Sequence, residues 1–277
     1  MTSIDQSLLD TIRQRRTAGE SLGKLAKEIG LTWQRLWTLL YPSPKPETLP
    51  LLQESAKGGS LVDKYRPTSL DCLWGQDAVV TFLRKFAAAP YPSALIFEGE
   101  TGTGKTSAAL ALASALGCDL AQQEFGGVYV IASGEQTAEA VRDTARLMWN
   151  RPFYGSGWKV IIVNEADRMH PAAETIWLDR LESLPAKTVV VFTTNYAGKL
   201  SQRFRDRCTG LTFESDAQTL VQSCRQLLAA IWKRETGKNL SPGSFSQIVD
   251  QAICDGRLSF RRAVQLLTVA LAKESLI

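Results

Sequence analysis

Between residues 93 and 116 a short apolar run, a glycine-rich turn and an Ala/Leu-rich stretch follow one another. This succession constrains the fold more than anything else in the chain. Ala94 to Phe97 has the length and character of one buried strand. Gly99 to Thr106 satisfies G-x-x-x-x-G-K-[ST] at every fixed position, and Ser107 to Leu116 favours helix. Strand, glycine-rich loop and helix in that order make a phosphate cradle. Backbone N–H groups of Gly99, Glu100, Thr101, Gly102, Thr103 and Gly104 curl around phosphate oxygens, at the positive end of a helix opened by Lys105, Thr106 and Ser107. Lys105 is placed to neutralise β- and γ-phosphates and the Thr106 hydroxyl to ligate Mg²⁺, so ATP and Mg²⁺ are the expected cofactors.

The remaining composition narrows the class. Charged residues make up 22% and apolar ones 44%, ordinary for a soluble protein, and the net charge of +4 tolerates an anionic partner. No apolar run is long enough to span a bilayer, and Met1 to Asp10 lacks signal-peptide architecture, so a cytoplasmic location with no membrane partner is expected. Five scattered cysteines without a C-x-x-C pair read as reduced thiols. His170 is the only histidine, which excludes a His-centred triad or a multi-His metal site.

Residues 1–41 form a separate pattern. Ile4, Leu8, Leu9 and Ile12 share a helical face, and Leu25, Ala26, Ile29, Gly30, Leu31, Leu36 and Leu39 resemble a helix-turn-helix core. Thr32 would cap its second helix, leaving Trp33, Gln34, Arg35 and Thr38 on the face available to a DNA groove. A small protein-binding helical bundle fits the same pattern. Alternating prolines at 42, 44, 46 and 50 and the Gly58–Gly59 pair mark residues 42–60 as a linker.

From residue 61 onward the chain resembles AAA+ clamp-loader ATPases, notably small subunits of replication factor C. The likeness is carried by Leu61 to Gln76, by Lys159 to Met169, by Thr188 to Asn195 and by Leu200 to Cys208. It implies an α/β domain at 61–213 with a parallel five-stranded sheet, then a helical lid at 214–277. In that family the first segment wraps the adenine, which here points to Tyr65, Arg66, Pro67, Gly75 and Gln76. Val160 to Val163 make a buried strand whose end presents Asn164 and Glu165 beside the phosphates. The resemblance makes Glu165 the base that polarises the attacking water. Asn164 stands where the family usually has the Mg²⁺-shell Asp, keeping an oxygen acceptor but losing the charge. Asn195 matches the sensor that positions the water. Arg207 matches the finger lent to a neighbouring subunit, with Asp206 in place of the usual Ser. The four-Cys zinc insert of the bacterial ATPase subunit is not matched.

Two basic features stay open in the sequence. Thr137 to Trp149 reads as a helix whose Arg142 and Arg146 either face nucleic acid, as that region does in clamp loaders, or form a solvated surface. In the lid three helical patterns follow, the third led by Ser259 and then Arg261 and Arg262. Two cations in a first turn oppose the helix dipole and point to a nearby anion. Arg261 matches the family's second sensor arginine, and Arg262 is the adjacent alternative. No counterpart of the clamp-loader collar follows the lid, so homo- or hetero-oligomer assembly is expected to be ATP-dependent and to run through the ATPase modules. The expected function is a DNA-associated ATPase that loads or positions replication or recombination machinery. A transposition-target or helicase-loader ATPase of a mobile element, and a non-hydrolysing DNA-binding adaptor, are the alternatives.

Overall fold

The computed structural model describes residues 60–274 and, ahead of them, Thr11, Ile12, Arg15, Leu25 and residues 27–30. The chain falls into two units, Met1–Thr48 and Leu49–Ile277, each taken by itself. In the first, Ile12 and Leu25 are buried, Arg15 pairs with Glu28 at 2.9 Å, and Gly30 takes φ +70° in a turn. Trp33, Gln34, Arg35 and Thr38 lie outside the described residues, as does the linker up to residue 59.

The second unit begins with a short helix α1 (Leu61–Lys64) and helix α2 (Asp77–Ala88). It continues through β1 (Ser93–Glu98), α3 (Lys105–Ala115), β2 (Val128–Ile131) and α4 (Ala138–Leu147). Then come β3 (Lys159–Val163), α5 (Pro171–Glu182), β4 (Thr188–Thr194), α6 (Gln202–Asp206) and β5 (Thr209–Thr212). The five strands form one parallel sheet in the order β2-β3-β4-β1-β5. This is the expected five-stranded α/β architecture.

The sequence dictates why this sheet is covered on both sides. Every residue of β3 and β4 is buried, as central strands of a parallel sheet must be. Side chains alternate between two cores at the strand period of two. Leu95 and Phe97 join Val189 and Val191 in a core with Leu83 and Leu112, whereas Ala94 and Ile96 join Val190 and Phe192 in a core with Trp177 and Phe204. The register pairs Glu98 of β1 with Thr194 of β4, and the Gly99 N–H donates to the Thr194 carbonyl at 3.2 Å. The glycine-rich loop and Asn195 therefore leave neighbouring strand ends side by side, the position where open α/β sheets bind ligands.

The lid follows as α7 (Ala217–Thr236), α8 (Ser246–Gln251), a hairpin of β6 (Ile253–Cys254) and β7 (Arg257–Leu258), and α9 (Phe260–Glu274). Asp216 caps α7 by accepting from the Thr219 N–H at 2.9 Å, and Gly237 ends it at φ +71°. The three helices match the sequence pattern; the hairpin is an addition to it. Asp255 (φ +49°) and Gly256 (φ +73°) make its two-residue turn, the conformation that Asp-Gly favours. Leu61 and Tyr65 pack into the lid core with Leu220, Leu228 and Ile231. Gln76 ties the lid's root to the sheet domain. Its Nε2 donates to the Glu214 carbonyl and its Oε1 accepts from the Glu214 N–H, both at 2.9 Å.

Candidate nucleotide site

A cleft of about 390 Å³ lies between the strand ends and the lid, within the range of small-ligand sites. The glycine-rich loop forms its floor. Gly102 (φ +87°) and Gly104 (φ +99°) hold the left-handed conformation that turns the backbone into α3. Helix α3 has no side-chain cap and no acid in its first turn, so its leading N–H groups are left for an anion. A Cβ on Gly102 would come within 2.1 Å of Ser259 Oγ, so the lid already sits hard against this loop.

Lys105 is gathered over the loop. Its Nζ donates to the carbonyls of Gly99 at 2.6 Å and Glu100 at 2.9 Å, and to Asn195 Oδ1 at 2.9 Å. Burial, and then the guanidinium of Arg261, push its pKa down to about 8; Asp167 and Glu165 pull the other way. All three acceptors of its ammonium are neutral oxygens, so its charge is left for an anion to meet. Thr106 Oγ1 donates to Asn164 Oδ1 at 2.9 Å, and Thr193 Oγ1 donates to the same oxygen at 3.2 Å. Thr106 and Asn164 thus present two adjacent neutral oxygens. They suit Mg²⁺ that draws most of its negative charge from phosphate. Among the described residues no group of three or more His, Cys, Asp or Glu could hold a metal by itself.

Glu165 stands in the left-handed region at φ +53°, a strained position for a side-chain-bearing residue. Several contacts hold it there. Its N–H donates to Thr193 Oγ1 at 3.2 Å, its carbonyl accepts from Gln136 Nε2 at 3.1 Å, and its Oε2 accepts from Ser133 Oγ at 2.5 Å. Arg168 adds a 3.2 Å ion pair to the same oxygen. The other end of the cleft is apolar, with Leu227, Ile231 and Val264 of the lid facing Tyr65 and Pro67. Tyr65 donates its hydroxyl to Glu235, and burial followed by that bond raises its pKa. Burial alone would raise the Glu235 pKa, but hydrogen bonds from Lys64 and Tyr65 outweigh it and hold the carboxyl below the usual range.

The cleft therefore brings together Tyr65, Arg66, Pro67 and Gln76, the loop from Thr101 to Ser107, and Asn164, Glu165, Asn195 and Arg261. Four expected residues of the nucleotide site sit differently. Gly99 and Glu100 offer their carbonyls to Lys105 without lining the cleft. Gly75 (φ +70°) seats the lid, since a Cβ there would lie 2.5 Å from Leu220 Cδ2. Arg207 is outside the cleft, donating to the Arg203 carbonyl at 3.0 Å and paired with Glu182 of α5. Arg142 is exposed on α4, and its neighbour Arg146 pairs with Asp143 at 3.2 Å.

Other contributors carry little signal in the sequence. Gln136 is 4% exposed and donates to the carbonyls of both Asn164 and Glu165. Asp167, its side chain 8% exposed, accepts from Thr194 Oγ1 at 3.0 Å beside Asn195. Only Asp167 could have been found, from its place two residues after Glu165.

Comparison with known proteins gives the family. The sequence profile of the family "DNA polymerase III, delta subunit" matches residues 75–217, more than half of the chain. Replication factor C subunit 3 of Blastobotrys adeninivorans is 31% identical over 218 residues, covering 76% of this chain and 60% of the relative. The same subunit of Saccharomyces cerevisiae is 31% identical, covering 71% of this chain and 56% of the relative. For the replication factor C small subunit of Picrophilus torridus the figures are 31%, 60% and 52%. The chain thus spans no more than 60% of the length of these relatives. The Thermotoga maritima RuvB Holliday junction branch migration motor shares the fold, with a TM-score of 0.59 at 19% identity over 76% of this chain and 67% of that one. Fold, cleft and profile agree: the chain belongs to the clamp-loader-like AAA+ family described as DNA polymerase III, delta subunit.

Proposed function

We propose that this chain binds ATP with Mg²⁺ in the cleft, hydrolyses it, and serves as a DNA-associated, clamp-loader-like ATPase that loads or positions replication or recombination machinery. The observation that carries the reading is the convergence of Lys105, Thr106, Asn164, Glu165, Asn195 and Arg261 on one cleft, from the loop, two strand ends and the lid. The apolar end around Tyr65, Arg66 and Pro67 takes the adenine, and the N–H groups of the loop take the phosphates. Lys105 and Arg261 supply positive charge where negative charge grows during phosphoryl transfer. Asn195 orients the water, and Glu165 Oε2, held by Ser133 and Arg168, accepts its proton. Thr106 and Asn164 would hold the metal, which when bound would screen the phosphate oxygens.

The rest of the reading concerns assembly. Residues 1–41 act as a DNA-reading module through Trp33, Gln34, Arg35 and Thr38, joined by the 42–60 linker to the ATPase domain at 61–213 and the lid at 214–277. Arg142 adds a phosphate contact from α4. Arg207 serves the ATP of a neighbouring subunit, which makes ATP part of the contact between chains. A non-hydrolysing adaptor is the second reading, favoured by one observation: Asn164 gives the metal no charge. Steady-state turnover with and without DNA, together with particle mass with and without ATP, tests both. Expected are DNA-stimulated turnover and ATP-dependent assembly. Arg207→Ala should lower both while sparing ATP affinity, and mixing it with Lys105→Ala protein should restore part of the turnover. Assembly with ATP but no turnover supports the adaptor; neither assembly nor turnover overturns the proposal.

A further inference from the structure

The glycine-rich loop carries an acid next to the residues that line the cleft. Glu100 follows Gly99, and its backbone is fixed: its carbonyl accepts from Lys105 Nζ at 2.9 Å and from Thr103 Oγ1 at 2.8 Å. Its carboxylate pairs with the guanidinium of Arg257, on β7 of the lid hairpin. That hairpin has little freedom to leave. The Leu258 N–H donates to the Ser215 carbonyl and the Ala217 N–H to the Gly256 carbonyl, both at 2.9 Å, so that Arg257 and Asp216 form a single antiparallel bridge. Just past β7, Ser259 abuts Gly102, and Arg261 lines the cleft.

A carboxylate in a polyphosphate-binding loop repels the ligand the loop is shaped for. We propose that Arg257 is an affinity determinant for polyphosphate: by neutralising Glu100 from the lid, it makes the loop competent to bind a triphosphate. The proposal rests on the nucleotide reading of the cleft. The two side chains are 58% and 39% exposed, so as a fold contact the pair is screened by solvent and contributes little. Its effect shows instead in the charge that a bound polyanion meets. The local charge of the pair is zero in the native chain, negative without Arg257, positive without Glu100, and zero again without both. An ordinary surface ion pair predicts no such order, because losing either partner breaks it equally.

Calorimetric titration of the full chain with ATP, ADP and AMP tests this order. Arg257→Ala should weaken ATP binding by about tenfold, ADP by less and AMP least. Glu100→Gln should tighten ATP binding by about threefold, and the double variant should return to within about twofold of native. Arg257→Lys keeps the charge and should keep the affinity, which separates charge from any folding defect of the alanine variant. Equal losses for all three nucleotides, a weakened Glu100→Gln, or a double variant no better than Arg257→Ala would overturn the proposal. A native chain that binds none of the three would instead overturn the nucleotide reading itself, and the role of Arg257 with it.

Discussion

The two walls of the cleft differ in kind. On the loop and lid side, Arg261 stands close enough to Lys105 to disfavour the charge of the lysine. On the side made by the ends of β3 and β4, the groups beside Thr106 are the neutral Asn164 and Thr193, and the carboxylate of Glu165 is already engaged by Ser133 and Arg168. One wall lacks an anion and the other lacks a charge for a cation. On the proposed reading, phosphate recognition and metal activation, often treated as one feature of such loops, would rest on separate residues. The first set brings two cations to the phosphates on that reading, and the second offers a metal only neutral oxygens. Nucleotide binding should therefore depend steeply on the cationic wall and only weakly on the metal wall.

The largest expected contrast sets Lys105→Ala against Asn164→Ala. The first should cost on the order of a hundredfold in ATP affinity, because it removes a half-buried charge partner of phosphate. The second should cost less than about threefold, since it removes a neutral hydrogen-bond acceptor. Equal losses in calorimetry would erase the distinction between the walls. A smaller effect follows from proton linkage. Burial and Arg261 hold the Lys105 pKa at about 8, below its ordinary 10.5. The charged lysine therefore destabilises the ligand-free fold below about pH 8, and that penalty is relieved as pH rises from about 8 toward 10.5. Phosphate reverses the shift by pairing with the ammonium. ATP affinity should be full below about pH 8 and fall by up to about tenfold per pH unit above it, with proton uptake on binding. Titrations at about pH 9 in buffers of different ionisation heat would measure that proton; a buffer-independent heat would refute the linkage.

Much of this arrangement is legible in the sequence because it is local. Gly99 to Thr106 states its own conformation, and Val160 to Val163 and Val189 to Phe192 are runs that only a sheet covered on both faces can bury. The cleft residues at strand ends follow from those runs. What is not legible depends on contacts across the chain. Tyr65 reads as part of a loop, yet its ring joins the lid core and its hydroxyl meets Glu235. The Glu100–Arg257 pair joins the phosphate loop to a hairpin that helical periodicity hides, although Asp255–Gly256 carries a turn signal. Gln136 is a single polar residue in a loop, and nothing in its neighbours says that it will be buried beneath Asn164 and Glu165.

The smallest effect is also the most telling, because it isolates the one residue on which the two walls differ from a full metal site. Asn164→Asp places a carboxylate beside Thr106, and turnover should rise by about fivefold as Mg²⁺ binds more tightly. The direct test is ATP affinity in Mg²⁺ and in chelator, for the native chain and for Asn164→Asp. If phosphate is held by the cationic wall, native affinity in chelator stays within about tenfold of that in Mg²⁺, and the gap widens in Asn164→Asp. Native binding that vanishes in chelator, or a gap that Asn164→Asp leaves unchanged, would contradict the account.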